Sequence, residues 1–355
     1  MSVEKKKYIF WVDFIRVAGI FGVVLIHVSS PLYNRWKTMA FADWMVGNVY
    51  NSIARVSVPL LFMLSGYLLL NRQEDLRAFY VNRVWKVALP FLVWSALYLV
   101  WKNGYADFTL FNAIKAIIYV VLTKPAYYHF WFLYALLPIY LFVPILRRFV
   151  HSADEQTLWY FALFWFVFGP LLDFIQQTVL NFNIAISLGF FTEYIGYFFW
   201  GYMLGRMHPP RWVATVAALS FITLTVFTIH ATYRLSAEHG FYFDFYHIYT
   251  RLNIALMAFS AFVGLKTLGE KIGARANPTA TRWMRQIAGT TFGVYLLHAM
   301  TLAMIRRGAF GFQLTALSAS PIIMIPALAA LVFILSSVII ALLQKIPYLR
   351  AIAPS

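Results

Sequence analysis

Apolar runs of about 20 residues, the length a helix needs to cross a bilayer core, recur from one end of the chain to the other. They lie near 9–29, 46–70, 84–101, 128–147, 157–175, 189–206, 212–232, 249–267, 287–305 and 321–343. The pattern predicts an all-α polytopic integral membrane protein of about ten transmembrane helices. A shorter stretch, Leu110 to Lys124, carries Lys115 and reads as an amphipathic helix lying in the interface. The connections are short, the longest being 30–45, 102–127 and 268–286, with no internal repeat and no low-complexity tract. Residues 1–355 are therefore expected to form a single membrane domain with no appended soluble domain. Glu4-Lys5-Lys6-Lys7 before an apolar run has the outline of a signal peptide. Asp13 and Arg16 interrupt that run, and no small-residue cleavage pattern follows, so an uncleaved first helix is expected.

Composition agrees with this pattern. Of 355 residues, 62% are hydrophobic and only 12% charged, whereas soluble domains are nearer half apolar and a quarter charged. The absence of cysteine excludes disulfides, thiolate zinc sites and iron–sulfur clusters. A net charge of +16 would suit nucleic acid if it were gathered on one domain. Here the cations are spread between apolar runs, which argues against a nucleic-acid partner and for the lipid bilayer. With the amino terminus cytoplasmic, eighteen of the 29 lysines and arginines fall in inside segments and eight in outside ones. Arg16, Arg55 and Arg251 lie within or at the edges of spans. The positive-inside bias thus expects both termini in the cytoplasm.

Candidate chemistry lies where hydrocarbon should not tolerate polarity. Arg16 and His27 stand eleven positions apart in the first helix, roughly 16 Å along one stripe, with Asp13 one turn before the arginine. A charge in hydrocarbon costs on the order of 2.5–3.5 kcal/mol, so protein or water must face this stripe. An Asp13–Arg16 pair and an interfacial His27 would satisfy it. So would a site in which the imidazole takes a proton from a hydroxyl. Asn48, Ser52 and Arg55 form a polar seam on the second helix, readable as interhelical glue or as the wall of a shared cavity. Arg83 and Lys86, one turn apart near the start of the third helix and preceded by Arg72, are either inside anchors or phosphate ligands. His129 sits in an aromatic run that a membrane-interface belt otherwise explains. Glu193 lies near the outer end of the sixth helix. Asp244, His247 and Arg251 cluster before the eighth, and Tyr295 shares a face with His298 on the ninth. No His-Glu-x-x-His motif or ligand-like spacing occurs, and no metal is expected.

Several motifs in order resemble the acyltransferase-3 family of membrane O-acyltransferases. They are Arg16-x10-His27; Val58-Pro-Leu-Leu-Phe-Met-Leu-Ser-Gly-Tyr67 with the basic segment from Phe79 through Arg83 and Lys86 to Pro90; His129-Phe-Trp-Phe-Leu-Tyr134; Gly201-Tyr-Met-Leu-Gly-Arg206; and Phe292-Gly-Val-Tyr-Leu-Leu-His298. Together they span nearly the whole chain. Within the family, Asn51-Ser-Ile-Ala-Arg-Val-Ser-Val-Pro59 and Lys124-Pro-Ala-Tyr-Tyr-His129 are similar to the branch that O-acetylates enterobacterial common antigen. Related branches modify exopolysaccharides such as cellulose and xanthan. The resemblance implies about ten helices in the bacterial inner membrane and an acetyl-CoA donor used from the cytoplasm. It also implies transfer to a sugar hydroxyl of a polysaccharide or lipid-linked oligosaccharide on the outer side. Larger branches carry a Trp-Ser-Leu-x-x-Glu pattern and a fused extracytoplasmic domain. This chain has Trp131-Phe-Leu-Tyr134 at the corresponding place and no such domain, so no catalytic glutamate is carried over there.

The mechanism expected on that resemblance assigns His27 as general base, with Arg16 at the donor and Arg55 at the tetrahedral oxyanion. Glu193 would orient or charge-balance His27. Arg83, Lys86 and Arg72 would hold CoA phosphates, and His129, Tyr134 and His298 would meet the acceptor. The competing class is a proton-coupled secondary transporter of a glycolipid or metabolite, with His27, Glu193 and His298 as a relay. The internal repeats and paired broken helices common in transporters are not visible in the sequence. Neither the oligomeric state nor the acceptor hydroxyl is fixed by it.

Overall fold

A computed structural model describes residues 8–103, 110–180 and 193–354. Among them the regular structure is helical throughout, with no strand. The helices are α1 (Phe10–Tyr33), α2 (Phe41–Ala54), α3 (Ser57–Leu70), α4 (Leu76–Phe79), α5 (Trp85–Asn103), α6 (Leu110–Thr123) and α7 (Trp131–Ser152). They continue as α8 (Glu155–Phe166), α9 (Leu172–Ile175), α10 (Tyr194–Arg206), α11 (Arg211–His239), α12 (Leu252–Arg275), α13 (Pro278–Arg306) and α14 (Pro321–Leu343). Nine helical stretches among the described residues are long and apolar enough to cross a bilayer. The expected span 189–206 begins outside the described residues and continues as α10. The basic residues Lys5, Lys6 and Lys7 also lie outside them. The protein is thus an all-α, polytopic, multi-pass membrane protein. The short segment after the third span forms α6, as its apolar–polar pattern expects, with Phe111, Ile114, Ile118 and Leu122 exposed along one side.

The chain divides into two compact units. One comprises the described residues of 1–67 and 165–291, the other those of 68–164 and 292–355. In the first unit, α1 packs on α2 and α12, and α11 packs on α12 and α2. Small residues set the closest approach in this unit. A Cβ at Gly66 of α3 would collide with the Phe198 carbonyl of α10, and one at Gly201 with the Met63 backbone. Lipid tails are as apolar as leucine, so helices in a bilayer gain little by hiding apolar surface from each other. Backbone-to-backbone packing at small residues supplies the attraction instead.

The expected second helix, 46–70, is longer than predicted and is interrupted. It begins at Phe41, and α2 ends at Ala54 before α3 restarts at Ser57. Pro59 explains the interruption: it has no N–H to donate to the Arg55 carbonyl four residues back, so the ladder cannot run through. The Arg55 N–H turns to Ser52 O at 3.4 Å, and the Leu60 N–H bonds Val56 O at 2.9 Å. Arg55 falls at the midpoint of the 30-residue apolar stretch Phe41–Leu70.

In the second unit, α5 packs on α6 and α7. A π-helical turn, Tyr80–Val84, joins α4 to α5 and carries Arg83. The Tyr98 hydroxyl donates to Leu296 O at 3.0 Å and accepts from the Met300 N–H at 3.1 Å, fixing α5 to α13.

Candidate active site

The polar seam of α2 is fully covered. Asn48, Asn51 and Ser52 are each 0% exposed, so each buried polar group needs a partner. Asn48 Nδ2 donates to Ile229 O at 3.0 Å, and Asn51 Nδ2 donates to Ser29 Oγ at 3.1 Å. Ser52 Oγ lies 3.3 Å from Asn48 Oδ1 and 2.9 Å from His247 Nε2. The Tyr242 hydroxyl is 2.7 Å from His247 Nδ1. One arrangement satisfies all four groups. Tyr242 O–H donates to Nδ1, His247 Nε2–H donates to Ser52, and Ser52 donates to Asn48. His247 is then neutral and locked at both nitrogens.

Arg55 stands at the end of this seam, where the helix breaks. Its NH1 donates to the Tyr249 hydroxyl at 3.1 Å and its NH2 to the Tyr33 hydroxyl at 3.4 Å. The guanidinium also lies over the Tyr249 ring, 5.2 Å from its centroid, and Tyr242 takes a further hydrogen bond. Burial pushes the Tyr242 phenol well above its ordinary range, with the Arg55 charge pulling the other way. The Nε of Arg55 is buried without an acceptor, and among the described residues no carboxylate pairs with this cation. Its neighbours are phenols, which offer dipoles but no countercharge. Arg55 as a whole is half-buried, so solvent shares with the phenols in stabilising its charge, and a negative group entering the cage would meet a cation with no protein carboxylate on it.

The chain of bonds leads from Arg55 to the first helix. Tyr33 O–H donates to Ser30 Oγ at 3.0 Å, and Ser30 donates in turn to Ile26 O. His27, half-buried, is one helical turn before Ser30 on the same face. The helical register thus puts His27 on the face of α1 that carries Ser30, whose hydroxyl meets the Arg55 cage through Tyr33. Farther down that stripe, Ile20 and Val23 are each 4% exposed. Arg16 is occupied: NH1 lies 2.8 Å from Asp13 Oδ1. The Tyr8 phenol lies close enough to Asp13 to feel its charge, and its pKa is pushed up to about 12 by burial first and Asp13 second. The Arg285 guanidinium covers the Tyr8 ring at 4.4 Å.

The remaining candidates fall elsewhere. Glu193 is exposed at the start of α10, where negative charge complements the helix dipole, and its carbonyl accepts from Trp165 Nε1 at 3.0 Å. Arg251 pairs with Asp173 and lies 4.0 Å over the Phe245 ring. In the second unit, Glu74 bridges two arginines, 3.6 Å from Arg83 and 3.2 Å from Arg147. Arg83 is half-buried and shares that carboxylate, Arg72 is half-buried and Lys86 is exposed. His129 and His298 come together, 2% and 0% exposed, with ring centroids 5.0 Å apart. Tyr295 donates to His129 O at 2.6 Å. His298 Nδ1 is 2.7 Å from Tyr295 O and 3.1 Å from Val294 O. Carbonyls only accept, so Nδ1 carries the proton and Nε2 the lone pair. Tyr134 places its hydroxyl on Val120 O at 2.6 Å and Lys124 O at 3.2 Å, pinning α6 to α7. Among the described residues no group of three or more metal-ligating side chains forms.

The sequence singles out Arg55 but not its cage. Tyr33, Tyr242 and Tyr249 are not foreseen there, and His247 stands out only as part of a polar cluster. The available signal is the crowding of phenols and an imidazole in Phe241-Tyr-Phe-Asp-Phe-Tyr-His247-Ile-Tyr249, more polar than a belt requires.

The fold and site define a multi-pass membrane protein in which a half-buried arginine, caged by phenols at a helix break, has no carboxylate partner among the described residues. A family model described as an acyltransferase domain matches residues 9–342. The chain belongs to the acyltransferase-3 family. The succinoglycan biosynthesis protein ExoH of Rhizobium meliloti (strain 1021) is 25% identical over 285 residues, covering 74% of this chain and 73% of that protein. No solved structure matches.

Proposed function

We propose that this acyltransferase moves an acetyl group from cytoplasmic acetyl-CoA to a sugar hydroxyl of a surface or exopolysaccharide, or of its lipid-linked precursor. Both termini face the cytoplasm of a bacterial inner membrane, and the acceptor is met on the opposite side. The observation that carries the reading is the Arg55 cage, a cation held by phenols with no carboxylate on it among the described residues, in a chain of the acyltransferase family. Acyl transfer from a thioester to an alcohol develops negative charge on the carbonyl oxygen, and fixed donors in a water-poor site stabilise that charge without reorganising. The exopolysaccharide role of the similar Rhizobium protein supports a glycan acceptor.

In this scheme His27 takes the proton as the sugar oxygen attacks the thioester carbonyl. The C–S bond then breaks, and the proton passes to the departing thiolate. Arg55 faces the oxyanion, and Arg16 stays at the donor side with Asp13 holding it. Glu193 balances charge near the mouth. Lys86, with Arg83 and Arg72, meets the CoA phosphates. Glu74 shares its charge between Arg83 and Arg147, so Lys86 is the least compensated cation of that group. His129, Tyr134 and His298 are assigned to the acceptor on the family resemblance alone.

The test uses purified full-length protein in nanodiscs with radiolabelled acetyl-CoA and candidate glycans. Alkali-labile label on the glycan is the expected result, lost in His27→Ala and Arg55→Gln proteins that still insert and purify as wild type. Wild-type transfer by His27→Ala removes the base assignment. Glycan movement across the membrane without labelling supports a carrier instead.

A further inference from the structure

At one end of the second unit, three aromatic rings meet two arginines. Trp101 lies near the end of α5, Tyr127 and Tyr128 just before α7, and Arg306 and Arg307 where α13 ends. Tyr127 is stacked on Tyr98 at 4.7 Å and stands edge-on to Trp101 at 5.8 Å. Tyr128 is 4.7 Å from Tyr127 and 49% exposed. The Arg307 guanidinium covers the Trp101 ring at 4.9 Å. Tyr98 beneath them is 0% exposed, so the upper rings rest on a fixed floor.

The backbone that carries the arginines is fixed as well. Gly308 takes a left-handed φ of 77°, which closes α13 with the Ala309 N–H on Met304 O at 3.0 Å and the Gly308 N–H on Ile305 O at 3.1 Å. A glycine accepts that backbone conformation without strain. Gln313 Nε2 caps Arg306 O at 2.9 Å. Burial pushes the Tyr127 phenol up, while Arg307 and Arg306 lie close enough to oppose that shift.

A lipid-interface belt accounts for aromatic rings at a membrane surface, but not for this charge balance. Residues 95–135 and 292–320 hold Lys102, Lys115, Lys124, Arg306 and Arg307 against one acid, Asp107. Among the described residues Arg307 has no carboxylate partner; its side chain rests on an indole. Arginine stacked on a ring keeps its outward N–H groups available as a planar fork for a carboxylate. Rings beside it offer the flat apolar surface on which the C–H face of a pyranose packs.

Resting on the acyl-transfer reading above, we propose that Trp101, Tyr127 and Tyr128 with Arg307 form an acceptor subsite for a sugar chain that carries carboxylates. The rings hold the pyranose faces, and the Arg307 guanidinium selects the charge. The subsite acts on acceptor binding alone, separately from the bond-making groups on α1 and α2.

Fluorescence anisotropy of labelled oligosaccharides tests it, using full-length protein in nanodiscs of zwitterionic lipid. The probes are a β-1,4-linked glucose hexamer and the glucuronate hexamer of the same linkage. The uronate is expected to bind at least tenfold tighter. Arg307→Gln removes that preference while leaving neutral binding within twofold, and Trp101→Leu weakens both. Equal binding of the two probes overturns the proposal, as does an Arg307→Gln protein that keeps the uronate preference. Displacement of the uronate by a tenth of anionic lipid in the disc also overturns it, showing that headgroups occupy the arginines. Acetyl-CoA cleavage without acceptor is measured in parallel. Its loss in wild type, with uronate binding intact, points to failure of the acyl-transfer reading rather than of the subsite.

Discussion

The two units bury histidine and hydroxyl groups in different ways. In the first, His247 is held at both nitrogens by side chains, and the network runs through Tyr242, Ser52 and Asn48 beside an arginine caged by phenols. In the second, His298 is anchored by backbone carbonyls of its own helix, and its ring packs edge-on against His129. The first arrangement assembles donors from distant elements around an uncompensated charge. The second orients one ring by local bonds that any helix can offer. Side chains from far apart in sequence converge on one cation in the first unit, and the proposed mechanism puts the developing negative charge there.

That contrast can be broken most directly at the histidines. His27→Ala is expected to lower transfer by roughly 10²–10⁴-fold, the usual range for a lost general base. His298→Gln is expected to change kcat less than tenfold and to act mainly on the acceptor KM. Steady-state kinetics of both variants in nanodiscs separate the two cases, and equal kcat losses would erase the distinction between the units. Arg55→Gln comes next, with a fall of about 10²–10³-fold in kcat, as when an oxyanion donor is lost. Arg55→Lys keeps charge but not the three-way contact and recovers only part. Tyr249→Phe removes one charge-assisted hydrogen bond from Arg55, about 1.5–3 kcal/mol, which is expected to show as a loss of roughly ten- to a hundredfold in kcat.

The smallest effect lies at Tyr8. Its phenol has a folded pKa of about 12 against about 10 in an unfolded chain. The folded state therefore favours the neutral form. That stabilisation is fully present below about pH 10 and is lost as pH rises through about 12. Tyr8→Phe is expected to flatten the fall in thermal midpoint over that alkaline window and to leave it unchanged at neutral pH. An unaltered alkaline slope would show that another group carries it.

The helices were legible because a bilayer demands unbroken apolar runs, and the first-helix and second-helix polar positions stood out against them. Pro59 made the break beside Arg55 readable in retrospect, since a missing N–H acts only on its own helix. The cage was not readable. Tyr249 is 194 positions from Arg55, and nothing local in either segment says that they meet. Glu193 looked equally polar in sequence, yet it is exposed at the start of α10. Arg147, which nothing in its sequence surroundings singles out, is buried between Leu69 O, Glu74 and the Phe79 ring.

The proline-induced gap at residues 55–56 has a mechanical corollary. Below it, α3 is bolted to α10 through the glycine contacts at Gly66 and Gly201; above it, α2 is clamped to α1, where a Cβ at Gly47 would strike Leu32. The two half-helices thus answer to different neighbours, and Arg55, at the joint, takes its position from both.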